Sequence, residues 1–312
     1  MLEFRQMRTQ LRTFLIYSIF LTPFCKADWI NIEASTDKSL NPKVLLIGQI
    51  HELPGPSKKY AKSQSQVDRL NFKNKEEIIF TKKKVEDFIR AQNPNHQVFV
   101  LIEGLGPHSK LDPESQFYTA GRDVKVIGWD NRFLTAVCLD LLEQSLSFNK
   151  DPNIKKTGPE LEEYNVQSLA LNLSVDLAVL YRSYTMGINI LDLLKQNSEA
   201  KIVLVGGAFH IKDGIAVALL KENNIPFQAV MSPTSASIKE ESLEELVKKY
   251  LPQKPELIEE IRRRAISLFT DSVNKNTKIP LDKSQGLDAL QLKQVSQYMD
   301  KLDWMLSQKP IQ

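Results

Sequence analysis

Four histidines occur in the 312-residue chain, His51, His96, His108 and His210, so any imidazole chemistry must use these. Two of them follow a glycine by three residues, and each glycine closes an apolar run. One stretch reads Val44-Leu45-Leu46-Ile47-Gly48-Gln49-Ile50-His51, the other Val203-Leu204-Val205-Gly206-Gly207-Ala208-Phe209-His210. Glycine supplies 12 of the 312 residues. Chance would set it three residues before two of four histidines with a frequency on the order of 1%, so the pair carries more information than one short motif. Neutral imidazole is a common metal ligand and an effective general base. A glycine at a strand end lets the backbone turn sharply and lets a ligand approach.

Acidic residues are expected at the same place. Glu103 directly follows the apolar run Val98–Ile102, and Asp130 follows Val124–Ile127 by way of Gly128 and Trp129. An acid at the end of a buried strand is costly unless it is paired or used. Two histidines with one or two carboxylates form a site for Zn²⁺, Mn²⁺ or Co²⁺ that keeps positions open for water. His51, His210 and Glu103 are the expected ligands, and Glu52 is a supporting group or general base. Quieter explanations exist for each: ordinary loop histidines, Glu103 capping a helix, Asp130 shaping a turn. His96 follows Asn93-Pro94-Asn95 and reads as a turn residue. His108, after Gly106-Pro107, is a reserve ligand. Arg182 lies in an apolar helical stretch, where a buried guanidinium needs a carboxylate or a substrate anion. It would orient Glu103 or hold substrate, with Asp130 as a second substrate-facing group; a surface-facing Arg182 is the alternative.

The elements that must position these groups alternate. Strand-length apolar runs cover Val44–Ile47, Val98–Ile102, Val124–Ile127, Ile202–Val205 and Phe227–Val230. The first, second and fourth are nearly continuous, as in strands buried on both faces. Helical periodicity covers Lys75–Gln92, Leu134–Ser145, Ser168–Lys195 and Gly214–Asn223. The class is therefore α/β, a mostly parallel sheet with crossover helices. In such a sheet ligands bind beyond the carboxyl ends of the strands, which is where both glycine–histidine turns fall. Two polar stretches, Leu53–Asn74 and Asn149–Tyr164, read as surface loops or flaps. From residue 236 onward the pattern changes to charged amphipathic helices, Glu240–Leu251, Pro255–Phe269 and Leu287–Leu306, forming a helical appendage. The expected organisation is a signal peptide over 1–27, one α/β domain over 28–235 and its helical extension over 236–312.

Export is expected from the N-terminus. Arg5, Arg8 and Arg12 precede the apolar run Phe14–Phe24, and Ala27 is the natural cleavage point. The run is short for a bilayer span, which takes roughly 20 apolar residues. Membrane contact is expected only through an uncleaved signal, and the location is periplasmic or secreted. Cleavage would leave Cys138 as the one cysteine, so no intrachain disulfide would form. With 41 Lys and Arg against 38 Asp and Glu, the net charge of +3 gives no basis for nucleic-acid binding. Hydrophobic residues at 42% and charged residues at 25% exclude a multi-span membrane protein and a wholly disordered chain.

Taken with Glu103, the two Gly-x-x-His motifs resemble the TraB/GumN family, which includes the Tiki metalloproteases. The best stretch is Tyr181–Val230, where Arg182 and Met186 on a helix precede an apolar strand, Val205-Gly206-Gly207-Ala208-Phe209-His210 and a further β unit. Ser183 stands where the family usually has Asn, and Ile211-Lys212-Asp213 replaces a Leu-containing turn. Tiki-like members imply metal-dependent peptide cleavage. Wider relatives, the erythromycin-esterase-like enzymes and ChaN-like haem-binding lipoproteins, imply metal-free ester hydrolysis or ligand binding. The expected function is thus an exported hydrolase, metal-dependent and acting on peptide bonds. A metal-free His/Glu hydrolase and a non-catalytic protein that binds a peptide or haem are the alternatives. The expected partner is a peptide or small-molecule substrate.

Overall fold

The computed structural model describes residues 30–35, 42–49, 79–103, 124–149, 157–236, 241–252, 254–277, 295 and 297–308. Residues 1–27, where a signal peptide is expected, and His51, Glu52 and His108 lie outside them. The strands are β1 (Ile30–Ala34), β2 (Val44–Gln49), β3 (Val98–Ile102), β4 (Val124–Gly128), β5 (Lys201–Gly207) and β6 (Phe227–Met231). The first described helix is α1, residues 79–91. It is followed by α2 (Arg132–Phe148), α3 (Pro159–Gln196), α4 (Ala208–Lys212), α5 (Ile215–Glu222), α6 (Pro233–Ala236), α7 (Leu243–Tyr250), α8 (Leu257–Thr277) and α9 (Leu302–Gln308).

The strands form one sheet in the order β1-β6-β2-β5-β3-β4. All neighbours are parallel except β1, which runs antiparallel to β6. The mostly parallel α/β sheet expected from the apolar runs is therefore present, with one antiparallel edge. The edge strand β1 was not anticipated. Its residues Ile30, Asn31 and Ile32 are exposed and Glu33 and Ala34 half-buried, so the strand lacks the continuous apolar run that marks a central strand.

Helices cover both faces. On one face, Val85, Phe88 and Ile89 of α1 pack on Leu45, Ile47, Val98, Val100, Val203 and Val205. On the other, α2, α3, α5 and α8 join Leu46, Leu101, Leu204 and Ala229 in a larger core. The C-terminal region belongs to this second core through Ala265, Phe269, Tyr298 and Met305. The helical appendage thus packs on the α/β core, with α8 against α2 and α3 and Phe269 stacked on Tyr181. Burial explains why these strands form: Val44 through Ile47 are essentially inaccessible, and each such side chain contributes about 1.5–3 kcal/mol on leaving water.

Helix α3 begins earlier than expected. The stretch Asn149–Tyr164 reads as a loop, yet helix starts at Pro159 and runs 38 residues. Pro159 at the first helical position and the acids Glu160 and Glu162 in the first turn are start signals rather than breaks. At about 1.5 Å per residue the helix spans roughly 57 Å, the length needed to cross the sheet and reach α7 and α8.

A polar clasp ties α8 to α2. The Asp140 carboxylate accepts from Ser272 Oγ at 2.6 Å, Lys275 Nζ at 2.5 Å and Gln144 Nε2 at 3.0 Å. Burial alone would raise the Asp140 pKa, but the Lys275 and Ser272 bonds outweigh it and hold the group below its ordinary value. A lowered folded-state pKa contributes stability above the unfolded value and loses it as pH falls through the folded value. Lys275 is exposed, so the ion pair itself adds little and the bond to buried Ser272 matters more. Asp140→Ala is expected to cost about 1 kcal/mol at pH 7 in urea unfolding. That difference should shrink below about pH 4, where the unfolded carboxyl binds its proton. An equal cost at pH 2.5 and pH 7 would show that the carboxylate charge is irrelevant.

Candidate functional site

Parallel pairing brings the two glycine turns together. Strands β2 and β5 are neighbours in register, with Gly48 opposite Gly206 and Gln49 opposite Gly207. Both motifs therefore leave the sheet at the same rim, side by side. The connections diverge there. The chain from β2 reaches β3 by way of α1 on one face, and the chain from β5 reaches β6 by way of α5 on the other. Strands β2 and β5 flank the point where the winding reverses, the crevice at which open α/β sheets bind ligands.

Both glycines sit in close packing. A Cβ on Gly48 would lie 2.9 Å from Met231 Cγ and 3.2 Å from the Ala208 Cα, and one on Gly206 would lie 3.2 Å from Trp129 Cζ2. Strand alternation sets Gly48, Gly206, Glu103 and Trp129 on the face that carries Leu46, Leu204, Leu101 and Ile127, which is the α3 face.

Glu103 leaves β3 beside β5, where Ile102 is opposite Val205. Its Oε2 accepts from the Gly207 backbone N–H at 2.6 Å, and its Oε1 accepts from Arg182 Nη2 at 2.7 Å. His210 Nε2 stands 3.4 Å from the same Oε1. His210 was expected on a loop folding back over the strand end. It lies instead in the first turn of the five-residue helix α4, which starts immediately after Gly207. The imidazole is buried and meets Trp129 edge-on, with ring centroids 5.3 Å apart at 83°. Trp129 is in turn held by a bond from its Nε1 to the Val205 carbonyl at 3.0 Å.

Arg182, from α3, joins Glu103 to Asp130. Its Nε donates to Asp130 Oδ1 at 3.0 Å and its Nη2 to Asp130 Oδ2 at 2.6 Å. Asp130 is fully buried and is steadied by Thr135 Oγ1 at 3.1 Å. Asp130 had been expected to face substrate; both its oxygens are instead turned to Arg182, behind Glu103. Burial would lower the Arg182 pKa, but the charges of Asp130 and Glu103 outweigh it and hold the guanidinium well above its ordinary value. Arg182 is therefore a permanent cation between two carboxylates.

The next residue of α3 faces the histidine. Ser183 Oγ is 2.7 Å from His210 Nδ1 and donates to Asp213 Oδ2. Asp213, at the C-terminal end of α4, also accepts from the Ile215 backbone N–H at 3.0 Å. Arg182 and Ser183 are consecutive, so about 100° of helical rotation separates the groups they serve. Met186, one turn on, is a fully buried core residue. In the sequence Ser183 and Asp213 stand out only as departures from the family pattern, and Trp129 only as a residue after a strand. The adjacency of Ser183 to Arg182 was the one available signal.

Other candidates lie elsewhere. His96 sits in the turn before β3, with its backbone N–H on the Asn93 carbonyl at 2.9 Å, at the opposite rim. Cys138 is partly buried, and burial pushes its thiol up despite the lowering effect of Arg182. It stays a thiol at neutral pH, which argues against a thiolate nucleophile.

The residues present fit a divalent cation in part. Two ligands about 2.0–2.1 Å from a tetrahedral ion stand roughly 3.3–3.4 Å apart, and His210 Nε2 and Glu103 Oε1 are 3.4 Å apart. Arg182 is the one cation paired with Glu103 and Asp130, and a third carboxylate, Asp213, bonds Ser183 beside them, so the local charge favours a cation. Among the described residues no group of three His, Cys, Asp or Glu forms a metal cluster. His51, the other expected ligand, lies outside the described residues. Comparison with protein-family models, curated proteins and solved structures finds no match for this chain.

Proposed function

We propose that this chain is a hydrolase of peptide bonds whose reaction centre is His210 and Glu103 at the switch point between β2 and β5. The observation that carries the reading is the parallel pairing of β2 with β5, Gly48 opposite Gly206 and Gln49 opposite Gly207, which brings the starts of both Gly-x-x-His motifs to one rim. A divalent ion, Mn²⁺, Co²⁺ or Zn²⁺, would be held by His210 Nε2, Glu103 and His51. When bound, it supplies Lewis acidity at a carbonyl and eases the deprotonation of water.

The chain's own groups have defined tasks. Arg182 and the Gly207 N–H keep the Glu103 carboxylate in one orientation, and Asp130 keeps Arg182 in place. The Gly207 N–H is thereby spent on Glu103 and is not a donor for a substrate oxygen. Trp129 packs edge-on against the imidazole and fixes the plane in which it lies. The basic and then apolar N-terminus supports export, to the periplasm or beyond.

A second reading has its own support. Glu103 already accepts from Arg182 and Gly207, so His210 would act alone as a general base in metal-free ester or amide hydrolysis. Chelation separates the two. The full chain is treated with a chelator, dialysed, assayed for metal content and incubated with a mixed peptide library read by mass spectrometry. Cleavage is expected to disappear and to return with Mn²⁺, Co²⁺ or Zn²⁺. Cleavage that persists without metal would move the assignment to the metal-free reading. Absence of product from peptides and esters under both conditions would remove hydrolysis altogether.

A further inference from the structure

We infer that Ser183 and Asp213 are positioning residues that hold a proton on His210 Nδ1, which leaves Nε2 as the nitrogen of the neutral imidazole that is open at the rim. The inference depends on the proposed reaction only for its consequence; the hydrogen-bond accounting stands by itself.

The Ser183 hydroxyl has one proton and three acceptors within reach: the Asp213 carboxylate, the Val179 carbonyl at 3.0 Å and His210 Nδ1 at 2.7 Å. Donation to Val179 or to Nδ1 would leave hydroxyl lone pairs facing the ionised oxygen of Asp213 in a buried site. Donation to Asp213 removes that repulsion and forms the charge-assisted bond, the strongest of the three. The Val179 carbonyl loses little, because its position in α3 already gives it a backbone donor. Once the proton points to Asp213, Ser183 Oγ has only lone pairs for His210. Nδ1 must then carry a hydrogen. In neutral imidazole that leaves Nε2 bare.

The direction of this chain matters for function. Nε2 is the nitrogen 3.4 Å from Glu103, at the rim. A bare Nε2 can bind a cation or take a proton from water; an Nε2–H can do neither. Outer partners of a ligating histidine set its tautomer and ring orientation in the same way. Asp213 is anchored independently, through the Ile215 N–H, so the imidazole is held from a fixed point. All three side chains are buried, so solvent does not compete for these bonds.

The test is long-range ¹H–¹⁵N correlation of the imidazole nitrogens in the full chain labelled with ¹⁵N-histidine. Four histidines make assignment simple, with His210→Gln identifying the signal. The wild-type protein is expected to show His210 as the Nδ1–H tautomer. In Asp213→Asn the amide can donate to Ser183, whose hydroxyl then donates to Nδ1, and the signal should convert mainly to Nε2–H. Ser183→Thr keeps the hydroxyl and should keep the wild-type tautomer. Zn²⁺ titration should weaken about 10–100-fold in Asp213→Asn. A wild-type chain in the Nε2–H tautomer, with Nδ1 bare, would overturn the inference even if no variant folds, as would an unchanged tautomer in folded Asp213→Asn. If the tautomer is Nδ1–H and no chelator-sensitive cleavage is found, the relay stands and the proposed reaction fails.

Discussion

Arg182→Met is expected to destabilise the protein by about 3–5 kcal/mol, read as a lower denaturation midpoint in urea. The side chains are similar in length, so little packing is lost; what is lost is charge. Asp130 is fully buried and both its oxygens accept from Arg182. Glu103 loses its guanidinium partner at the same time. Removing one member of a buried ion cluster leaves the others uncompensated, which costs far more than the intact cluster contributes. Arg182→Lys should recover only part of the loss. A single ammonium cannot reproduce the two-pronged contact to Asp130 while also reaching Glu103. A loss below about 1 kcal/mol for Arg182→Met would mean that water already reaches Asp130, and the enclosed triad would have to be abandoned.

His210→Ala and Glu103→Gln are each expected to lower kcat/KM for peptide cleavage by about 10²–10⁴-fold, the usual contribution of a positioned acid–base group. Because His210 Nε2 and Glu103 Oε1 serve one centre, the double variant should be no worse than the poorer single. Glu103→Gln also tests the anchor. The amide oxygen can still accept from Gly207 N–H or from Arg182, but the amide nitrogen cannot take the other bond. Its unfolding midpoint should therefore fall along with its activity, whereas His210→Ala should alter activity far more than stability. Independent, multiplying effects of the two substitutions would show that the residues work in different steps.

Much of this arrangement was legible in the residues because burial leaves a dense signal. Val44–Ile47, Val98–Leu101 and Ile202–Val205 are apolar throughout since helices cover them on both sides. Strand ends are marked by Gly48, Glu103 and Gly206, which break that pattern. The order of the strands was not legible. Nothing local to Val44 or Ile202 states that they pair, and their pairing is what joins the two motifs. Edge strand β1 was missed because its side chains meet solvent, and the start of α3 because Pro159 was read as an interruption. Ser183 and Asp213 could not be assigned from spacing alone. They lie 30 residues apart, and their meeting depends on which side of α3 turns toward α4.

Gly48 also disciplines how the sheet assembles. A strand shifted by one position exchanges its two faces. In β2 such a slip would drive the side chain of Gln49 or Ile47 into the space beside Met231, Ala208 and Ile211, where even a methyl group would collide. The apolar residues Val44 to Ile47 are interchangeable enough to tolerate misalignment; the missing side chain is not. It works as a notch that favours one alignment, and the register that pairs Gly48 with Gly206 is also the one that ends β2 and β5 at a common rim.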